Sequence, residues 1–412
     1  MRLVAVNQFY APDESATSQL LTDLCEHIAG VGDDVTVITS RGGYLGGALA
    51  PRERIRGVNV IRAFATHFGK STMAGRLSDY LSFWCSSVFE AIAVHDADVL
   101  LVLTTPPMIA AAGALVALGK RIPLVTWVQD VYPEAAIKLG YLSPQNPVTL
   151  GLSALATVTH GASAEIVALS EGMASRLCAQ GADRARIHVS PNWCDGELVQ
   201  PKPTENHPFR QAHGLSGKLV AMYSGNLGIG HDVATFVEAA RRLEKTLPEL
   251  VLLFIGEGVR RKEAETLAQN LRNVRFLPYQ PHHALGESLS AADVHLVSLR
   301  EDLEGLLVPS KLYGALAAGR PVLYVGPANC EVARVLQKDD LGRSVRPGDV
   351  EGLCEALLDL SRNRAAWEER GRRARQIFCQ TYDRAVSCGR FRTLLERASQ
   401  EPPPLGRRVR AS

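Results

Sequence analysis

The chain has 412 residues, 46% hydrophobic and 21% charged, which is too long for one ordinary core and suits two domains of roughly 150 to 200 residues each. Its 45 Lys and Arg against 43 Asp and Glu leave a formal charge of +2, which excludes a polyanion-coating protein but not a local basic patch for phosphate or anionic lipid. Eight scattered cysteines without a C-x-x-C pair point to reduced thiols in a cytosolic compartment, and against a disulfide framework or zinc site.

The N-terminus, MRLVAVNQFYAPDES, has only a short apolar run, so no signal peptide and no export are expected. RLVAVN at 2–7 reads as a strand, followed by a helix from about Ser18 and then by the strands DVTVIT at 34–39, DVLLVL at 98–103, PLVTWV at 123–128, EIVALS at 165–170 and IHVSP at 187–191. Continuous apolar strands separated by helical patterns predict a parallel sheet buried on both faces. The longest apolar region, 99–119, is broken by Thr104-Thr105-Pro106-Pro107 and reads as a strand and then a helix, not a membrane span.

Residues 191–217 are proline-rich and aperiodic, as a connection between domains would be, which places the boundary near 196. A second alternating series follows: KLVAMYSG at 218–225, a helix over about 232–246, LVLLFIGEG at 250–258, VRFLPY at 274–279, DVHLVSL at 293–299, a helix after Pro309 and PVLYVG at 321–326. The predicted fold class is α/β, with two Rossmann-like doubly wound domains, 1–196 and 197–378, facing across a cleft. Ligands are expected beyond the carboxyl ends of the strands. From Ser361 to Ser412 there are thirteen Arg, no Lys and five acids; residues 379–398 predict a helix packed on the body, and 399–412 a disordered tail.

The most informative segment is EDLEGLLVPSKLYGALAAGRPVLYVG at 301–326, where a loop leads to Pro309 at an expected first helical position, with Ser310 and Lys311 in the first turn. Free N–H groups, the helix dipole and the Lys311 charge favour a phosphate there; the plain alternative is a helix start with a solvated lysine. SGNLGIGH places Gly225, Gly228 and Gly230 after another strand, where backbone would approach a ligand closely beside Asn226, and FIGEG adds Gly256, Glu257 and Gly258.

Taken in order, the Pro12-containing loop, WVQDVYPE, YSGNLG, FIGEG, FLPY, AADVHLVSL and PSKLYGALAAGRPVL resemble the retaining GT-B glycosyltransferases of family 4 over nearly the whole chain. In texture they are similar to the bacterial exopolysaccharide and O-antigen enzymes, among them the colanic-acid and fucosamine transferases, which act on lipid-diphosphate-linked sugars. The resemblance implies a nucleotide-diphosphate sugar held by the C-terminal domain and an acceptor held by the N-terminal one. Carried over, Ser310 and Lys311 would contact the donor diphosphate with Gly225 and Asn226 beside it, Gly256 and Glu257 would line the nucleotide pocket, and Glu304 would face the donor sugar. Gln129, Asp130 and Glu134 would lie on the acceptor side. Lys311, Glu304 and Asp130 are the candidate catalytic residues. The plain readings are that Glu257 caps a helix, that Glu304 is a solvated loop acid, and that a carboxylate at 130 or 134 caps the helix after Pro133.

Departures from the wider family fall at the same loops. Its glycine-loop Arg and Lys fall near Asn226 and Gly230, leaving His231 as the only nearby group to supply a charge, so the cationic load falls on Lys311. A ribose-holding glutamate aligns with Gly314, Gln129 replaces a histidine, and Ser15, Ala16 and Thr17 stand where a glycine pair is usual. The expected function is retaining transfer of a sugar to a glycan or polyprenyl-diphosphate-linked acceptor in cell-surface polysaccharide synthesis. Two readings compete with it: a non-catalytic nucleotide-sugar or lipid-glycan binding subunit, and a nucleotide-sugar epimerase on the same fold.

No metal and no cofactor are expected. Asp96-Ala97-Asp98 matches a D-x-D triplet but precedes a strand, where acids make turns, and His282 and His283 lack a third ligand. The segment 67–94 joins Lys70 and Arg76 to Tyr80, Phe83, Trp84 and Phe89, which fits an interfacial helix or an ordinary core helix. Expected partners are therefore the donor, the acceptor and the inner face of the membrane at its periphery, with no nucleic acid.

Overall fold

The β-branched and leucine-rich runs are strands because a sheet covered on both faces buries every side chain. Val99–Leu103 is buried at all five positions, as is Val294–Ser298. The structure is a computed structural model that describes residues 1–42, 49–68 and 73–401. It divides into two units. The first comprises 1–191, 305–307 and the chain from Ser387; the second comprises 192–304 and 308–386.

The first unit contains β1 (Arg2–Val6), β2 (Asp34–Ser40), β3 (Arg52–Ile55), β4 (Val58–Ala63), β5 (Val99–Leu103), β6 (Leu124–Trp127), β7 (Glu165–Ala168) and β8 (Ile187–Val189). Their order is β3-β4-β2-β1-β5-β6-β7-β8, parallel except where β3 runs against β4. Arg56 and Gly57 both take positive φ at that hairpin, the conformation a two-residue turn between twisted strands requires. Chain order reverses between β1 and β5, which opens a crevice at their carboxyl ends.

The second unit contains β9 (Leu219–Ser224), β10 (Leu250–Ile255), β11 (Val274–Leu277), β12 (Val294–Ser298), β13 (Val322–Val325) and β14 (Gly342–Val345), in the all-parallel order β11-β10-β9-β12-β13-β14. Order reverses here between β9 and β12. Helix Ala234–Leu243 covers one face and buries Phe236, Val237 and Leu243, each worth about 1.5–3 kcal/mol. The architecture is that of two Rossmann-like units.

The basic C-terminal segment is two helices, Arg364–Thr381 and Arg384–Gln400. Phe391 on the second is buried 4.7 Å, centroid to centroid, from Trp127, and Arg392 Nε donates to Asp33 Oδ2 at 2.8 Å. That helix continues through Gln400, so the first two residues of the expected tail are helical; 402–412 lie outside the described residues. All eight cysteines are free thiols. Among the described residues no helix is long and apolar enough to cross a membrane.

Candidate active site

In the second unit the loops after β9, β10 and β12 meet at the point of order reversal. Gly225 follows β9 at φ 123°, and a Cβ there would stand 3.1 Å from Lys311 Cε, so glycine both permits the backbone turn and leaves room for the lysine stem. A Cβ on Gly256 would overlap the Gly225 carbonyl oxygen, and Leu227 N donates to Glu257 O at 2.8 Å, so the two glycine loops are seated backbone on backbone.

Lys311 Nζ lies 3.1 Å from His231 Nε2 and 4.9 Å from the centre of the buried Tyr223 ring. His231 Nδ1 is 2.7 Å from Ser298 O, a carbonyl that only accepts, so Nδ1 carries the proton and Nε2 is left to accept from the ammonium. Desolvation, then the neighbouring Lys311 charge, lower the His231 pKa to about 3. The expectation that His231 supplies a positive charge is therefore corrected: it is a neutral acceptor that holds Lys311. Loss of water around the ammonium lowers the Lys311 pKa to about 7.

The short helix is Lys311–Ala317, with Ser310 at its N-cap making no side-chain capping bond. Pro309 therefore stands two residues before the helix, not at its first position, and Ser310 is exposed. Asn226 is exposed, and its backbone oxygen accepts from the Tyr223 hydroxyl at 3.1 Å. Glu257 is exposed and pairs with Arg261 at 2.6 Å, while Arg260 occupies the N-cap of the helix that follows. Glu304 is half-buried at the end of the Glu301–Leu303 turn; the Tyr324 phenol is raised by its burial and then by Cys330, with the Glu304 charge a smaller addition. Gly314 lies in the helix, with Leu289 3.1 Å from where its Cβ would be.

Two cations escaped the sequence reading. Arg260 Nε donates to Ile229 O at 3.3 Å and Arg300 Nη1 to the same oxygen at 3.5 Å, while Arg300 N donates to Gly230 O at 2.9 Å. They brace the glycine loop from both sides, and Arg260 is a further charge that lowers the His231 pKa. The available signal was their position, each two residues past a strand-end segment, FIGEG and β12. The second unit thus gathers Lys311, Arg260 and Arg300 around one loop; Arg260 also pairs with Glu263 at 2.9 Å and Arg300 with Asp302 at 2.8 Å, so Lys311 is the cation of the three best placed to neutralise a polyanionic leaving group.

In the first unit the candidate residues lie beyond β6. Gln129 N and Asp130 N donate to Thr104 Oγ1 at 3.0 and 3.3 Å, and Val131 N donates to Leu306 O at 2.9 Å. Gln129 is buried. Burial pushes the Asp130 carboxyl up to about 6, with no cation offsetting it, so near neutral pH it is an ionised hydrogen-bond acceptor able to orient a hydroxyl. Glu134 begins helix Glu134–Lys138 and accepts from Gln180 Nε2. Gln180 Oε1 lies 2.8 Å from His160 Nε2.

Asp98 accepts from Arg2 Nη2 at 2.7 Å and from Arg2 N at 2.7 Å, with Asp96 3.8 Å from the same guanidinium, so that acidic triplet ties down the first strand. His282 and His283 sit in a single helical turn, and among the described residues no cluster of three or more His, Cys, Asp or Glu is placed to hold a metal. Helix Met73–Ala93 buries Phe83, sends Trp84 Nε1 to Met108 O at 3.0 Å, and exposes Leu77, Leu81, Phe89 and Ile92. It is a core helix on one side and an apolar surface on the other. Lys70 lies outside the described residues.

Similarity to known proteins agrees with this layout. Residues 17–193 match the family model of a glycosyl transferase 4-like domain, and residues 206–377 match that of the glycosyl transferases group 1. A probable glycosyltransferase, WbjE of Pseudomonas aeruginosa, is 26% identical over 303 residues, covering 71% of this chain and 73% of its own. A putative colanic acid biosynthesis glycosyl transferase, WcaI of Escherichia coli, is 24% identical over 389 residues, 89% of this chain and 95% of its own. HepE of Anabaena, solved in complex with UDP-glucose, superposes with a TM-score of 0.70 at 15% identity, over 96% of this chain and 100% of that one. The two matched models lie in succession along most of the sequence, one on each unit, and the chain belongs to the GT-B glycosyltransferases, with a glycosyl transferase 4-like domain followed by a group 1 domain.

Proposed function

We propose that the chain is a retaining glycosyltransferase that moves a sugar from a nucleotide-diphosphate sugar to a glycan or polyprenyl-diphosphate-linked acceptor in cell-surface polysaccharide synthesis. The observation that carries this reading is the Lys311–His231–Ser298 chain at the order reversal between β9 and β12, flanked by two arginines. A lysine kept near its titration point gains a full charge when a diphosphate arrives, and it then stabilises the departing phosphate in a site with little water. The acceptor hydroxyl attacks the anomeric carbon from the face the diphosphate leaves. Its proton passes to the leaving phosphate oxygen, and Asp130 orients the acceptor. The name of WcaI, a putative colanic acid biosynthesis glycosyl transferase, supports a role in polysaccharide synthesis, and the HepE complex supports a nucleotide-sugar donor.

The exposed apolar face of Met73–Ala93 supports work at the periphery of the cytoplasmic membrane face, where a lipid-linked acceptor would be met. The test of the donor assignment is thermal stability across a panel of nucleoside diphosphates and their sugars. One nucleotide should raise the melting temperature of the wild type and fail to raise that of Lys311→Met. Absence of a shift with every nucleotide would overturn the assignment.

A further inference from the structure

The first unit contains a cavity of about 40 Å³ beyond the ends of β5 and β6, lined by residues from Thr104 to Gln180. Its partly exposed rim is formed by Met108, Asp130, Tyr132 and Gln180, and its buried floor by small apolar side chains, among them Ala110, Ala111 and Ala156. Met108 holds this rim at φ 63°, a conformation costly for a side chain of its size.

Below the Asp130 carboxyl and Tyr132 hydroxyl of the rim, two further polar side chains of the lining keep unused hydrogen-bonding capacity. Gln180 Nε2 donates to Tyr132 O at 3.0 Å and to Glu134, so its Oε1 accepts from His160 Nε2–H. His160 is 7% exposed, and its Nδ1, thereby left as an acceptor, is buried with no partner. Thr104 Oγ1 already accepts from the backbone N–H of both Gln129 and Asp130, which uses its two lone pairs and leaves its own O–H as a donor for whatever enters. Thr126 and Thr159 are spoken for, by Ser163 and by Leu155 O.

Below the rim, one unmatched acceptor, one unmatched donor and walls of methyl groups are complementary to an amide that ends in a methyl. At about 10 to 15 Å³ for each water-sized group, the cavity has room for about three, the number of non-hydrogen atoms in an acetyl group. We infer that this cavity receives the acetamido substituent of an N-acetylated amino sugar on the acceptor: its N–H donates to His160 Nδ1, its carbonyl accepts from Thr104, and its methyl rests on the alanine floor. The inference rests on the reading that this unit holds the acceptor, and it deepens that reading by naming the acceptor's chemical class. Asp130 at the rim is then within the same subsite as the sugar it would orient.

The test is saturation-transfer NMR on the full chain without donor, comparing methyl glycosides of N-acetylated hexosamines with those of the parent hexoses. The acetamido compounds should bind at least about tenfold more tightly, with the acetyl methyl the most strongly saturated group. His160→Phe and Ala156→Leu should each reduce that preference to within about threefold. Both variants should keep the wild-type response to nucleotides, a readout located in the other unit that separates failure of this inference from failure of the transferase reading. Equal binding of hexose and N-acetylhexosamine, a preference that survives both variants, or binding of neither sugar would overturn the inference, the cavity then being a water site.

Discussion

Replacing Lys311 by methionine separates what the lysine costs the fold from what it contributes to binding. Bringing its pKa from 10.5 to about 7 corresponds to an upper bound of about 5 kcal/mol, which partial exposure and water relaxation reduce to about 2 kcal/mol. The folded protein releases this proton more readily than the unfolded chain, so unfolding binds a proton between these values. The destabilisation grows as pH falls from 10.5 toward about 7 and is constant below. Lys311→Met should therefore be more stable than the wild type by about 2 kcal/mol at about pH 6, shrinking to roughly a third of that near pH 9.5. The assay is urea unfolding at both pH values, with nucleotide titration by calorimetry alongside. Loss of one charged hydrogen bond, about 1.5–3 kcal/mol, should weaken the nucleotide diphosphate by about 10- to 100-fold. A variant that is less stable at both pH values and binds nucleotide as well as the wild type would refute the reasoning.

Three further outcomes are expected. Gly225→Ala forces a side chain into φ 123° against the lysine stem, so stability should fall by about 1–3 kcal/mol in urea titration and the nucleotide-induced rise in melting temperature should disappear. Asp130→Asn should leave nucleotide binding intact and reduce transfer by about 100-fold or more. In the wild type kcat/KM should rise as pH passes about 6 and the carboxyl ionises. Because that carboxyl titrates above its usual value, native stability at this site is full below about pH 4 and is lost as pH rises through about 6; Asp130→Asn should abolish that loss. Phe391→Ala opens a hole against Trp127 and should cost about 3–5 kcal/mol in the unfolding of the first unit.

How much of this was legible depended on whether a signal was local. The buried central strands were, because runs such as VLLVL and LVLLFI admit few other readings. Two of the four edge strands were not: RERI at 52–55 and GRSV at 342–345 carry the charges that edges use, and charge masks a strand's apolar pattern, whereas the edges IHV and VRFL kept theirs. The glycine loops and the PSK segment announced themselves by composition, and the structure brings Gly225, Gly256, His231 and Lys311 together. The protonation state of His231 was out of reach, since it depends on the Ser298 carbonyl 67 residues away. Arg260 and Arg300 were missed for the same reason: each matters through Ile229, which each reaches only in the folded unit. His160 lay in a plain helical pattern, and its unmatched nitrogen is a property of the Gln180 network, not of any motif.

The central claim is sugar transfer with retention. It is tested most directly by incubating the chain with the nucleotide sugar that stabilises it and a bacterial membrane-lipid extract, then determining by mass spectrometry and NMR whether a glycosylated lipid forms and with which anomeric configuration. The account predicts a product that appears only with the extract, keeps the donor's configuration and is lost in Lys311→Met. A product of inverted configuration, or donor consumption that yields only free sugar, would contradict it.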